Sequence, residues 1–251
     1  MGKMTEILSG VLATSITLNI TDPVCAAYVG GIIQPLLVAT AEEFNTRLLS
    51  VHEDSRVHKV MHDAICKIQL RLEKGDIPRQ DDFISDSKLE STEAKAILEG
   101  VLLKAKDEYE EKKLVYYSNL IAQMVFDSSW NYQRLNAMLR MFDQLSYRQL
   151  QLMALAQRKD EINTPQWCVK FKRIPVSFSY YDLYCEVVQL SNLAIFHQPG
   201  ESLMMGIGDK QALSPIGKSM AELMELSSIP QEELDELDEL VNSLNDKILH
   251  M

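Results

Sequence analysis

No two cysteines of this chain form a C-x-x-C pair; Cys25, Cys66, Cys168 and Cys185 stand far apart. That excludes a zinc knuckle or a redox motif built from neighbouring thiols, and isolated thiols suit a reducing cytoplasm. Positive charge is scarce: 25 Lys and Arg face 36 Asp and Glu, a formal charge of −11. General affinity for DNA, RNA or anionic lipid needs a surplus of cations to replace counterions, so this balance argues against it. Catalytic signatures are missing too. The sequence holds no G-x-S-x-G elbow, no G-x-x-x-x-G-K-[ST] phosphate loop, no G-x-G-x-x-G and no H-E-x-x-H, and no cofactor is implied. The glycines near Gly208 read as a hairpin turn.

Long apolar spans are short of the membrane length. Residues 7–41 carry one charge, Asp22, which divides them into uncharged runs of 15 and 19 residues, against the roughly 20 a spanning helix needs. The tract reads as a buried or partner-covered helical hairpin, with membrane insertion the less favoured alternative. Thr21-Asp22-Pro23 starts its second helix, and Gly31 is expected at a close helix contact, where a larger side chain would overpack. Residues 1–6 lack the layout of a signal peptide, so the N-terminus is expected to be retained.

Apolar residues make up 46% of the chain, enough for a sizeable core, and most recur with helical period. Leu36, Leu37, Phe44, Val57, Val60, Met61, Ile65, Ile68 and Leu72 define one or two helices that Gly75 and Pro78 stop. Residues 76–90 read as a surface loop. Ser91-Thr92-Glu93 opens the longest helical pattern, through Ile97, Leu98, Val101, Leu102 and Ala105, across the polar stretch 106–113, to Leu114, Tyr117, Leu120, Ile121, Met124 and Val125. A Ser128-Ser129 cap precedes a helix bearing Trp130, Leu135, Met138, Leu139 and Phe142. Ser146-Tyr147-Arg148-Gln149 is a capping box ahead of Leu150, Leu152, Met153 and Leu155.

Beyond Gln157 the pattern changes. Trp167, Val169 and Phe171 alternate with polar residues in the period of a strand. A helix follows from Ser179 to about Leu190. Residues 195–198 and 211–213 then read as two short strands joined by a turn, and Ser214-Pro215 starts another helix. This is the order of a winged-helix-like module. Ser228 is read as the cap of a last, acidic helix holding Glu232, Glu233 and Asp235 near its start, where they meet the positive end of the helix dipole.

The helix bearing YEEKKLVYYSNLIAQMVFD, the segment MFDQLSYRQLQLMAL and the C-terminal pieces LSNLAIF and ALSPIGKSMAELMEL together resemble a broad set of uncharacterised bacterial helical proteins. The set includes the abortive-infection alpha family associated with phage defence. The likeness extends over roughly residues 25 to 228 and rests on packing and capping patterns. It implies a bacterial cytoplasmic protein with a role in phage defence, and it carries over no catalytic side chain.

Each candidate site has a plain structural counterpart. His58 and His62, four apart on a helix, have the spacing of a divalent-metal pair, or are two histidines of a solvated face. Lys170, Lys172 and Arg173 with Trp167, Phe171 and Phe178 could grip nucleic acid. Residues 179–228, however, hold six acids against Lys210 and Lys218, the wrong sign for a reading helix and wing. Glu108, Glu110 and Glu111 beside Lys106, Lys112 and Lys113 read as salt-bridged surface. Leu234, Leu237, Val241, Leu244, Ile248 and Met251 fall at spacings of three and four, an apolar seam that must dock, on its own body or on a second copy or protein partner.

The sequence therefore describes a mainly α protein: a helical body over 1–157 with an apolar N-terminal hairpin, a winged-helix-like α+β unit over 158–228, and an amphipathic acidic helix over 229–251. The expected function is a non-enzymatic interaction component of a phage-defence system. The competing readings are a membrane-acting effector that inserts its N-terminal hairpin and a winged-helix transcription regulator.

Overall fold

The computed structural model describes residues 27–45, 47, 49–85, 93–163, 178–198 and 210–249, with 45, 85, 178–180 and 244–249 by backbone alone. The apolar tract before residue 27, Ser91 and Thr92, the alternating segment around Trp167 to Lys172 and the turn over 199–209 lie outside them. The chain is mainly helical with a three-stranded antiparallel sheet, and it divides into two compact units, Met1–Gln144 and Leu145–Met251. The division falls earlier than the change of sequence character at Gln157. The capping-box helix and the terminal acidic helix both belong to the second unit.

In the first unit a π-helical turn, Val29–Ile33, runs into α1, Gln34–Asn45. Val29, Ile33, Leu36, Leu37 and Phe44 form its buried stripe. Gly31 lies on the other side, exposed, and a Cβ there would meet nothing within 4 Å. That holds among the described residues; the rest of the apolar tract, where the expected close contact would lie, is outside them.

The longest helix, α2 at Val51–Glu73, opens on a capping box. Ser50 Oγ accepts the Glu53 N–H (3.3 Å) and the Glu53 carboxylate accepts the Ser50 N–H (2.7 Å), satisfying two of the donors a helix start leaves unpaired. It closes on Gly75 at φ +90°, where the Gly75 and Asp76 N–H groups reach the Leu72 and Arg71 carbonyls at 3.0 Å, the Schellman pattern that favours glycine.

Of the surface loop expected over 76–90, residues 86–90 lie outside the described ones, and 76–85 are only partly at the surface. Pro78 and Arg79 are buried, as are Phe83 and Ile84 of the short helix α3, Asp82–Ser85. Arg79 is held by polar contacts. Its guanidinium grips the Asp81 carboxylate through Nε (2.8 Å) and Nη2 (2.6 Å) and donates through Nη1 to the carbonyls of Asp127 (3.1 Å) and Trp130 (2.6 Å). Its backbone N–H bonds the Val125 carbonyl. One planar cation therefore satisfies acceptors that a helix end leaves open.

The long helix expected over 93–125 is two: α4, Glu93–Asp107, and α5, Leu114–Phe126, joined through a 3₁₀ turn at Glu111–Lys113. The carboxylate of Glu108 holds the break. It pairs with the Lys113 ammonium, accepts the Glu110 N–H (2.9 Å) and faces the Tyr117 hydroxyl (3.5 Å). Glu108 is 7% and Lys113 2% exposed, so this pair is core and corrects the reading of Glu108 as salt-bridged surface; Glu111 stays exposed. Burial first, and the Glu108 charge second, push the Tyr117 phenol far above its usual range. Lys113 lies 5.3 Å from the centre of the Phe142 ring, which Tyr117 meets edge-on at 4.7 Å.

The last helix of this unit, α6 at Tyr132–Asp143, is capped by Asn131, whose side chain accepts the Arg134 N–H (2.9 Å). Ser128 and Ser129 belong to the preceding turn, where the Ser129 N–H bonds Asp127 (2.8 Å). Trp130 sits there as well, one position before the cap. Within the unit α2 packs mainly on α5 and also on α4, which in turn meets α5 and α6.

The second unit is built around α7, Tyr147–Lys159. After it come β1, Ile162–Asn163; α8, Phe178–Asn192; β2, Phe196–His197; β3, Lys210–Leu213; α9, Pro215–Leu223; and α10, Gln231–Leu249. The sheet order is β1-β3-β2, with Ile162 opposite Gln211 and Phe196 opposite Leu213. Helix, strand, helix, then an antiparallel pair make a small α+β unit, the element order on which the winged-helix-like expectation rests. Ser214 caps α9 by accepting the Gly217 N–H (3.0 Å), while its own N–H bonds the Ile195 carbonyl (2.9 Å). Ser228 does not cap α10. It ends a 3₁₀ turn, Leu226–Ser228, and its hydroxyl donates to the Glu225 carbonyl (2.7 Å); α10 begins at Gln231, after Pro230.

Candidate functional site

The winged-helix-like unit carries most of the candidate surface. The capping box of α7 forms as expected: Ser146 Oγ accepts the Gln149 N–H (3.2 Å) and Gln149 Oε1 accepts the Ser146 N–H (2.8 Å). The same residues hold α8. The buried Gln149 amide donates to the Glu186 carbonyl (3.2 Å) and to the Gln189 side chain (3.0 Å). Arg148 Nε donates to the Glu186 carboxylate at 2.6 Å. Burial raises the Glu186 carboxyl above its ordinary range, opposed by Arg148 and by the Ser146 hydroxyl. Leu183, Val187 and Leu190 bury the inner side of α8, leaving Tyr181, Asp182, Cys185 and Asn192 outward.

Helix α8 precedes the two hairpin strands, the position from which a winged helix would read a duplex. Over Phe178–Asn192 it has Asp182 and Glu186 and no Lys or Arg. A helix so charged repels phosphates. The cations proposed for nucleic-acid contact, Lys170, Lys172 and Arg173, lie outside the described residues.

The seam of α10 is placed in two parts. Leu234, Leu237 and Val241 are buried within their own unit, where α10 lies chiefly along α7; the side chains of Leu244 and Ile248 lie outside the described residues, as does Met251. Basic partners for the acidic helix come from the last turn of α7. Lys159 pairs with Asp238, and Arg158 donates to the carbonyls of Ser227 (3.0 Å) and Ile229 (2.6 Å) and to Gln231. Glu233 accepts from Tyr147 (2.9 Å) and Gln151 (3.1 Å). Glu232, Asp235, Glu236 and Glu239 remain exposed, an anionic outer face. Leu237→Ala is expected to lower the stability of this unit by about 2 kcal/mol at unchanged mass, because the side chain removed is 5% exposed and covered by its own chain. A change of mass in light scattering without loss of stability would show that the seam serves an intermolecular contact instead.

His58 and His62 stack on α2 with ring centres 6.3 Å apart and planes 17° from parallel. Nitrogen lone pairs lie in the ring planes, and nearly parallel stacked planes do not aim them at one ion. His62 Nδ1 is 3.4 Å from Asp63, Cys66 Sγ is 3.9 Å from the His62 ring, and His58 Nε2 is buried without a hydrogen bond. Burial, then the Asp63 charge, push the Cys66 thiol up, away from the thiolate a metal takes. Among the described residues no group of three or more His, Cys, Asp or Glu could hold a metal ion.

One cluster has no local signal in the sequence, because its members are some fifty positions apart. Lys67 Nζ donates to Ser118 Oγ (2.7 Å), to the Val115 carbonyl (3.1 Å) and to Asn119. A Ser and Lys at this distance could be a nucleophile and its base. Here the Ser118 hydroxyl donates to the Val115 carbonyl (2.6 Å) and the residue is 0% exposed. The ammonium is occupied by three acceptors and cannot take a proton. The cluster clamps α2 to α5.

None of the described helices is long and apolar enough to cross a membrane. Comparison of the chain with protein-family models, with curated proteins and with solved structures finds no match in any of the three.

Proposed function

We propose that this chain is a non-enzymatic interaction protein acting in the bacterial cytoplasm as a component of a phage-defence system of the abortive-infection kind. The observation that carries the interaction reading is α8: a helix in the reading position of a winged-helix-like unit that presents Tyr181, Asp182 and Cys185 outward and has no cation along its length. Such a face suits a protein surface and opposes a phosphate backbone. The defence setting is supported by the sequence resemblance described above, and the partner is a protein or a second copy of the chain.

Titration of the full chain with duplex DNA at about 150 mM salt is expected to give no affinity tighter than the ~10⁻⁴–10⁻⁶ M of non-specific binding. Sub-micromolar binding would favour a transcription regulator. The defence role is tested by expressing the chain with its neighbouring genes in a phage-sensitive strain and counting plaques; unchanged plaque numbers across a phage panel would overturn it. Leakage of dye-loaded liposomes would favour the membrane-acting effector.

A further inference from the structure

We propose that residues 108–110 form a hinge at which α4 and α5 can join into one continuous helix, so that two copies of this chain exchange the segments ahead of it. The corner has no helix breaker. Residues 106–113 contain neither glycine nor proline, and their glutamates and lysines are good helix formers. Side-chain contacts hold the bend, two of them within five residues and one from α2. The Glu108 carboxylate bridges it, pairing with Lys113 and accepting the Glu110 N–H, while Arg56 reaches across to the Lys106 carbonyl (3.1 Å) and to Glu111 (3.3 Å).

Tyr109, beside Glu108, is 81% exposed. In a helix continued from α4 it would follow Val101 and Ala105 at intervals of four and precede Tyr116 and Leu120, all four of them buried, on one helical stripe. The exposed tyrosine is the member of that stripe which the bend takes out of line.

A single chain cannot straighten alone, because α4 and α5 share the core with α2 and would be pulled off it. Two chains opened in the same way restore the contacts between elements, α2 and α4 of one packing on α5 and α6 of the other, in a reciprocal two-fold exchange that gives up only the contacts of the bend itself. Glu108 acts as the latch: without its charge, Lys113 is left buried and unpaired in the closed form.

The test is native mass spectrometry and light scattering of the full chain at equal concentration. Glu108→Gln is expected to raise the dimer fraction at least about tenfold with helicity retained. Adding Lys113→Met, which removes the stranded cation, is expected to return it to monomer, and Tyr109→Gly in the Glu108→Gln chain to reduce the dimer several-fold. A monomeric Glu108→Gln chain, or a dimer that Lys113→Met leaves unchanged, would overturn the hinge. Wild-type chain refolded from denaturant at high concentration provides a readout independent of the variant's folding. A slowly dissociating dimer of native helicity supports the exchange, and its absence there counts against it.

Discussion

Gly217→Ala is expected to destabilise the second unit by about 3 kcal/mol, although alanine is the better helix former. Gly217 lies in the first turn of α9, and a Cβ built there would come within 2.4 Å of the Ile195 carbonyl oxygen and 3.1 Å of Leu213. That carbonyl is already fixed by the Ser214 N–H, so the clash meets backbone that is bonded on its far side. The propensity gain from Gly to Ala is about 1 kcal/mol, whereas forcing an extra methyl into a closed contact costs typically 1–3 kcal/mol and occasionally more. With backbone as the neighbour the upper end applies. At roughly 4 °C per kcal/mol, calorimetry should show the transition fall by about 10 °C, and hydrogen exchange should place the loss in 145–251. An unchanged melting temperature would mean that α9 does not sit this close to the hairpin.

Lys113→Met is the second large effect. It leaves the Glu108 carboxylate buried with its cation gone, which typically costs ~3–5 kcal/mol. Glu108→Leu combined with Lys113→Met should recover most of that loss, since apolar side chains of similar volume can replace a buried pair without penalty. Urea unfolding at low protein concentration measures both. If the single variant were as stable as the parent, the pair would have to be solvated. If the double variant were as damaged as the single, the pair would be worth more than its mutual neutralisation.

The parts of this fold that were legible in the sequence are those whose cause is local. The Ser146 to Gln149 capping box, the Ser214-Pro215 helix start and the stop at Gly75 each need only residues within one turn of chain, and all three appear in the structure. The two short strands were legible because the cap at Ser214 follows the second directly; the turn expected between them lies outside the described residues. What the sequence concealed depends on distant partners. The polar stretch 106–113 reads as helix by propensity, and the Glu108–Lys113 pair that bends it is stable there because Tyr117 and Phe142 bury it. Residues 76–85 read as loop by composition, yet Pro78, Arg79, Phe83 and Ile84 are buried there, with Arg79 finding the carbonyls of Asp127 and Trp130. Strand β1, only Ile162–Asn163, is too short to show a period. Competing caps misled at two helix starts, where Asn131 outbids Ser128 and Ser129, and Ser228 serves the turn before α10. At the candidate surface the acidic character of α8 and α10 was legible, while the basic residues that hold α10, Arg158 and Lys159, lie more than seventy positions upstream.

The sheet of the second unit also sets the order in which it can assemble. Pairing Ile162 with Gln211 closes a loop of about fifty residues, and the Tyr147 bond to Glu233 spans 86. The entropy of such closures must be spent before any contact repays it. The first unit faces a similar toll, since α2 packs mainly on α5 some fifty positions further on. On a ribosome that toll has a temporal meaning: α7 is made before β3 and α10, which pack on it, so until they emerge the apolar surface they cover is open to whatever else is in the cell.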